Sequence, residues 1–161
     1  MIEIEEMRES EAREVLGQLN YAHLAVAKDN IPYVVPVHYA FDGNDLFIYT
    51  TEGKKADIIR VNPEICLQAE DVEDNENWRS VMVSGTAEQI TDEDSRQKAL
   101  DLILKINPKL TPAISIRWMD DWVRENIEVM YRITPRSVTG RQTIKRDRTE
   151  PTPMMSTPKV A

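Results

Sequence analysis

Apolar and polar positions alternate along much of the chain, and they step at helical spacing in only a few places. Ala12, Val15, Leu16 and Leu19 recur three or four residues apart, which predicts a helix over 8–19 with Ser10 as its cap. Gly17 weakens that helix slightly. A short strand follows at 23–27, then the turn signal Asp29-Asn30, then a long β-rich run at 31–41, IPYVVPVHYAF. Pro32 and Pro36 place this run at a sheet edge or a bulge, because proline cannot donate to a ladder. Asp42-Gly43-Asn44-Asp45 makes a hairpin turn into the strand LFIY at 46–49.

Ala56, Ile58, Ile59 and Val61 mark a short helix that Asn62-Pro63 stops, since proline restricts the residue before it and cannot continue the ladder. Residues 64–72 read as a strand with Ile65, Leu67 and Ala69 on one face, and 73–77 as a polar loop. Residues 78–90 form another strand, in which Gly85 signals a bulge or a close backbone approach. Thr91 opens a capped helix to about Ile106, with Ala99, Leu100, Ile103 and Leu104 inward, and Asn107-Pro108 breaks it. The pattern over 109–123 is ambiguous; 127–134 and 138–144 read as the final strands. Hairpin spacing dominates over β-α-β crossovers. The expected class is therefore mainly β (α+β), an antiparallel barrel with peripheral helices, in one domain over 1–144. Residues 145–161 carry three prolines and almost no apolar periodicity, and are expected to be a disordered tail.

Charge narrows the set of partners. The 161 residues carry a net −8; the last 17 hold four cations against two acids, which leaves −10 for the remainder. An acidic body repels phosphate backbones, so no nucleic-acid partner is expected. No apolar run is long enough to span a membrane, the N-terminus lacks the basic-then-apolar layout of a signal peptide, and a cytoplasmic protein is the simplest reading. The single cysteine, Cys66, excludes an intrachain disulfide and a cysteine-based zinc site; it reads as an inert buried thiol in an apolar strand. With only His23 and His38, no metal site is expected. The acidic runs at 3–6, 70–76 and 92–94 read as solvated faces or helix starts.

Against that acidic background, the stretch Leu46 to Pro63 stands out. A strand turns through Thr50, Thr51 and Gly53 into a helix start beginning with Lys54 and Lys55. Unpaired N–H groups and the helix dipole at such a start favour an anion, and the two hydroxyls and two ammonium groups suit one phosphate. The stretch is neither a Walker loop nor a Rossmann fingerprint. A capped surface helix with two solvated lysines explains the same residues. His38, between Val37 and Tyr39, is most simply a hydrogen-bonded core residue. Trp118, Met119 and Trp122 have helical spacing and read as core or dimer-interface residues. No acid, base and nucleophile form a recognisable catalytic set.

Four motifs in order carry a family resemblance: P-x-x-x-P-V-x-Y at 32–39, Y-T-T-x-G-K-K at 49–55, N-P at 62–63, and W-R-S-V-x-V-x-G at 78–85. Over about residues 12–142 the chain resembles the FMN-binding split β-barrel proteins related to pyridoxamine 5′-phosphate oxidase, in the branch that includes nitroimidazole-resistance proteins. The resemblance implies a six-stranded antiparallel split barrel, a homodimer with FMN in each of two clefts between the subunits, and a small-molecule electron donor and acceptor. It implies a flavin ring along Val34, Val35, Pro36, Val37, His38 and Tyr39. The phosphate would be held by Tyr49, Thr50, Thr51, Lys54 and Lys55, with Lys54 in place of an arginine. Arg79 and Ser80, the latter in place of a glutamine, would also reach the cofactor, as would Trp118, with Arg124 at a matching spacing. Relatives of this barrel bind a deazaflavin or haem, and a non-catalytic flavin-binding module remains an open alternative to an FMN oxidoreductase.

Overall fold

The computed structural model describes residues 1–109, 117–119, 122–124 and 128–144, the two triplets by backbone only. In chain order the elements are β1 (Glu3–Glu6), α1 (Glu9–Gln18), β2 (Tyr21–Lys28), β3 (Ile31–Phe41), β4 (Leu46–Thr51), α2 (Lys54–Val61), β5 (Glu64–Asp74), β6 (Asn77–Gln89), α3 (Glu93–Ile106), β7 (Arg117–Met119), β8 (Trp122–Arg124) and β9 (Glu128–Ile144). Seven strands form one antiparallel sheet in the order β1-β9-β4-β3-β2-β5-β6, and β6 returns to pair with β9. Six strands therefore close into a ring, with β1 outside it. β7 and β8 form a separate hairpin, so Trp118, Met119 and Trp122 lie on paired strands and not on the helix their spacing suggests.

Every strand of the ring sends alternate residues inward. Leu24 and Val26, Val37 and Tyr39, Leu46 and Ile48, Leu67 and Ala69, Val81 and Val83, Val129 and Ile133 meet in one cluster, joined by Ala12, Val15 and Leu16 of α1 and by Ala56, Ile58 and Ile59 of α2. A second cluster lies on the outer face, where Ala99 and Ile103 of α3 cover Ala40, Phe47 and Met130. Leu100 is half-buried there, but Leu104 points outward and is 37% exposed, against the inward expectation. α1 is tied to the ring by Tyr39, whose hydroxyl donates to the Leu16 carbonyl at 2.6 Å. Burial pushes that phenol well above its usual range. Tyr39→Phe, which leaves the ring in place, is expected to cost about 1–2 kcal/mol in chemical denaturation, the value of a buried hydrogen bond.

Several local expectations are corrected. The first helix is capped at Arg8, whose N–H donates to the Glu11 carboxylate at 3.0 Å; Ser10 lies within the first turn. The third helix is capped by Asp92, which accepts from the Ser95 N–H, one residue later than Thr91. The 23–27 strand extends over Tyr21–Lys28. The polar loop at 73–77 shrinks to a tight turn, because β5 continues to Asp74 and β6 begins at Asn77. The acidic run at 3–6 is largely exposed, as a solvated face should be, but it lies on a strand, β1, paired with Arg141–Ile144 across the whole chain length.

The two final strands are one, β9, unbroken by Pro135. The register of β6 against β9 shifts between Ser84 and Gly85, and Pro135 sits at that irregularity, where a missing donor is tolerated. β9 is the backbone of the fold. One edge pairs with β6 along Tyr131–Gln142; the other takes β4 along Glu128–Ile133 and β1 along Arg141–Ile144. No described helix is long and apolar enough to cross a membrane. The expected tail at 145–161 lies outside the described residues.

Candidate functional site

β3 is 11 residues long, but β4 pairs with it only at Tyr39–Phe41. Its N-terminal half has β2 on one side and no strand on the other among the described residues. The Tyr39 N–H donates to the Asn20 carbonyl, so the odd-numbered positions of β3 exchange hydrogen bonds with β2. The even-numbered positions face away from β2. Pro32 and Pro36 therefore stand where the ladder requires no N–H. The Val34 and His38 N–H groups and the Val34 and Pro36 carbonyls line the open edge. Val34, 57% exposed, Pro36 and His38 are exposed on the outer face.

His38 is thus not the hydrogen-bonded core residue expected of it. Its ring lies edge-on to Tyr21 at 5.4 Å between centroids, and His23 approaches the same ring at 5.7 Å. Tyr21 has no local signal of its own, because the apolar alternation is clear only from His23 onward.

Past the open edge, β4 leads through Thr50 and Thr51, both half-buried, into α2. Gly53 is the N-cap and makes no side-chain cap bond; the first intrahelical bond runs from the Asp57 N–H to the Gly53 carbonyl at 3.0 Å. The N–H groups of Lys54, Lys55 and Ala56 precede that bond, so the helix itself provides them no partner. Two acids of this segment are already paired: Arg60 binds Asp57 at 2.7 Å and Glu52 beside it. Lys54 Nζ stands over the Tyr33 ring at 4.8 Å, and Tyr33 belongs to β3. Lys55 is half-buried. The start of α2 is a cationic, uncapped helix end beside the open edge of β3, which suits an anion attached to a flat body. Tyr33 carried no local signal, since its role depends on α2 folding back toward β3.

Tyr49 lies on the α3 side of β4. Burial and a hydrogen bond with Glu128 push its phenol up to about 12. Burial also raises Tyr131 on β9, as it does Tyr39. In all three the folded state favours the protonated phenol. Their contribution to stability is complete below the ordinary tyrosine value of about 10 and is lost as pH rises through the folded values. The urea midpoint is expected to hold from pH 8 to about 10 and to fall steeply by about 12; a flat profile would contradict it.

Arg79 and Ser80 are elsewhere. Straight rows of Cα partners cross the outer face, one running Pro36–His23–Gln68–Met82–Thr139 over five strands. Ser80 lies in the neighbouring row, opposite Glu70 and Arg141, and accepts from Gln68 Nε2 at 2.8 Å. Arg79 pairs with Asp71 at 3.2 Å. Three strand spacings, ~14 Å at about 4.8 Å each, separate β6 from β3. One chain therefore gathers Val34–Tyr39 with Thr50, Thr51, Lys54 and Lys55, but not with Arg79 and Ser80. Trp118 and Arg124 lie on β7 and β8; their side chains are outside the described residues. Cys66 is half-buried on the same outer face, and burial pushes its thiol up while a hydrogen bond with Ser84 opposes the shift.

Comparison with known proteins bears on this arrangement. A family model for pyridoxamine 5′-phosphate oxidase matches residues 8–142. The chain is 36% identical over 84 residues to an uncharacterised protein of Rhizobium meliloti strain 1021; the match covers 52% of this chain and only 56% of that curated relative. Among solved structures, a FAD-binding protein of Mesorhizobium loti is 27% identical with a TM-score of 0.72, covering 90% of this chain and 100% of its own. A candidate 5-nitroimidazole antibiotic resistance protein of Bacteroides thetaiotaomicron shares the fold at 19% identity and a TM-score of 0.66, over 89% of this chain and 91% of its own. A flavocytochrome of Azotobacter vinelandii does so at 16% identity and a TM-score of 0.61, over 97% of this chain and 87% of its own. The closed six-stranded ring, the open half of β3 and the match over 8–142 agree: this chain belongs to the pyridoxamine 5′-phosphate oxidase family and has its split-barrel fold.

Proposed function

We propose that the protein binds FMN and transfers hydride or electrons between a reduced donor and a small organic acceptor. The uncapped start of α2, with Lys54 and Lys55 beside the open edge of β3, carries this reading. It offers one phosphate a helix end and two ammonium groups, and offers a flat ring the exposed face of Val34, Pro36 and His38. Likeness to a FAD-binding protein supports a flavin; a single-phosphate cradle favours the mononucleotide. The flavin supplies the redox chemistry when bound. The chain's own residues bind the phosphate, orient the ring through the Val34 and His38 N–H groups, and exclude water along the β3 face.

The working unit in this proposal is a homodimer. Arg79 and Ser80 are too far across the sheet to serve the cradle of their own chain, so a second copy would bring them, with Trp118, to the ring. The exposed apolar residues Val34 and Tyr21, on the same sheet face, support such pairing.

The test is the absorbance spectrum of the purified protein and the mass of the ligand released on denaturation. FMN bands and the FMN mass are expected, at one per chain. A haem Soret band, a deazaflavin mass, or a colourless protein that takes up no FMN would each overturn the reading.

A further inference from the structure

Among the described residues, one buried side-chain polar atom has no hydrogen-bond partner: the Tyr131 hydroxyl. Tyr131 is 2% exposed, and a buried hydroxyl without a partner costs stability, so its presence calls for a cause. Tyr131 of β9 stands opposite Ile48 of β4, and Val129 stands opposite Thr50. Tyr131 and Thr50 are therefore diagonal neighbours on the inward face, a spacing that an aromatic side chain spans. Ala56 of α2 belongs to the same core cluster. Besides burial, which pushes the Tyr131 phenol up, the charges that act on it are those of Glu52, Arg60 and Asp57. The hydroxyl thus lies beneath the turn from β4 into α2, on the core side of the lysine cradle.

Glu52 is the misfit of that turn. It follows Thr51 and precedes Gly53, the N-cap, so it sets a carboxylate beside a helix end that suits an anion. Its ion-pair partner is Arg60, which holds Asp57 as well, at 2.7 Å. The Glu52 side chain is only 27% exposed, against 49% for Arg60 and 69% for Asp57. Beside a bound phosphate, Glu52 is repelled, and the planar fork of Arg60 has a doubly charged partner within reach. An ion pair that open to water is worth little, so Arg60 exchanges it readily. Glu52, left partly buried, then needs a donor, and Tyr131 has one unused.

We propose, building on the flavin reading, that Arg60 is a third cation for the phosphate, held in reserve by Glu52, and that Tyr131 takes over the Glu52 carboxylate when Arg60 turns to the ligand. Fluorescence titration of the full chain with FMN and riboflavin, together with urea denaturation without ligand, tests it. Arg60→Gln is expected to weaken FMN roughly tenfold and Glu52→Ala to tighten it about fivefold, with riboflavin unmoved in both. If the pair merely clips the turn to the helix, both changes weaken FMN. Tyr131→Phe is expected to weaken FMN about fivefold in the wild-type chain and to do nothing in the Glu52→Ala background. Because it removes an unpartnered hydroxyl, it should leave the urea midpoint unchanged or raised, unlike Tyr39→Phe. Arg60 and Glu52 lie outside the core, so their two variants decide the matter if Tyr131→Phe fails to fold. Equal weakening by Arg60→Gln and Glu52→Ala, no effect of Tyr131→Phe, an effect that persists without Glu52, or a midpoint that falls as in Tyr39→Phe would each overturn the exchange while FMN binding by the wild type stands. A wild-type chain that binds neither flavin would instead overturn the flavin reading, and the exchange with it.

Discussion

Replacing Lys54 and Lys55 together with glutamine will lower FMN affinity at least about 100-fold and leave riboflavin affinity nearly unchanged. Each charge-assisted hydrogen bond to a phosphate is worth about 1.5–3 kcal/mol, and two of them exceed the 2.7 kcal/mol that 100-fold requires. Lys54 gives up little to reach the ligand: it stands 4.8 Å over an aromatic ring, a contact worth about 0.5–1 kcal/mol at an exposed site. Riboflavin isolates the effect because it has the same ring and no phosphate. Titration by flavin fluorescence on wild type and the double variant reads both ligands. If FMN and riboflavin weaken equally, the lysines act on the ring or the fold; if neither weakens, the start of α2 is not the phosphate site.

Gly85→Ala will be the most damaging single methyl in the ring. An added Cβ would lie 2.2 Å from the Thr134 carbonyl oxygen and 3.2 Å from the Pro135 Cα. Both obstacles are backbone atoms of β9, at the point where β6 and β9 shift register. No rotamer change relieves the clash, so the strands must part, at about 3 kcal/mol or more. Gly140→Ala makes the contrast. There the nearest atom is the Met7 sulfur at 2.7 Å, the end of a flexible side chain, and about 1 kcal/mol is expected. Urea denaturation of the two variants checks the order; an equal or reversed loss would mean that β9 yields more easily than its pairing implies.

Gly85 also shows what local sequence can and cannot say. A lone glycine within a β-run marks a close approach because only glycine lacks the atom that would collide. The sequence signals that something comes near, but not that it is Thr134, 49 positions away. The prolines behave likewise. Pro32 and Pro36 announce an edge, since they cannot donate; that β4 leaves β3 at Tyr39 and opens that edge is a tertiary fact. Pro135, by the same local rule, splits β9 in two, and the rule fails because a bulge absorbs the missing donor. β1 was illegible because its alternation is acid with isoleucine over four residues. It becomes a strand only through pairing with Arg141–Ile144.

The amino-acid order alone determined the class of fold, most element positions, the inward faces of the ring strands, and the helix start at Lys54 and Lys55 after a Thr-Thr-x-Gly turn. These follow from side-chain period, turn chemistry and helix ends, which act over a few residues. Folding alone decided that β6 meets β9 to close the ring, that His38 is exposed, that Tyr33 sits under Lys54, and that Arg79 and Ser80 lie across the sheet from the cradle. Such outcomes depend on which distant strands pair and in what register. Pairing is settled by burying every inward face at once, and no short window of sequence contains it.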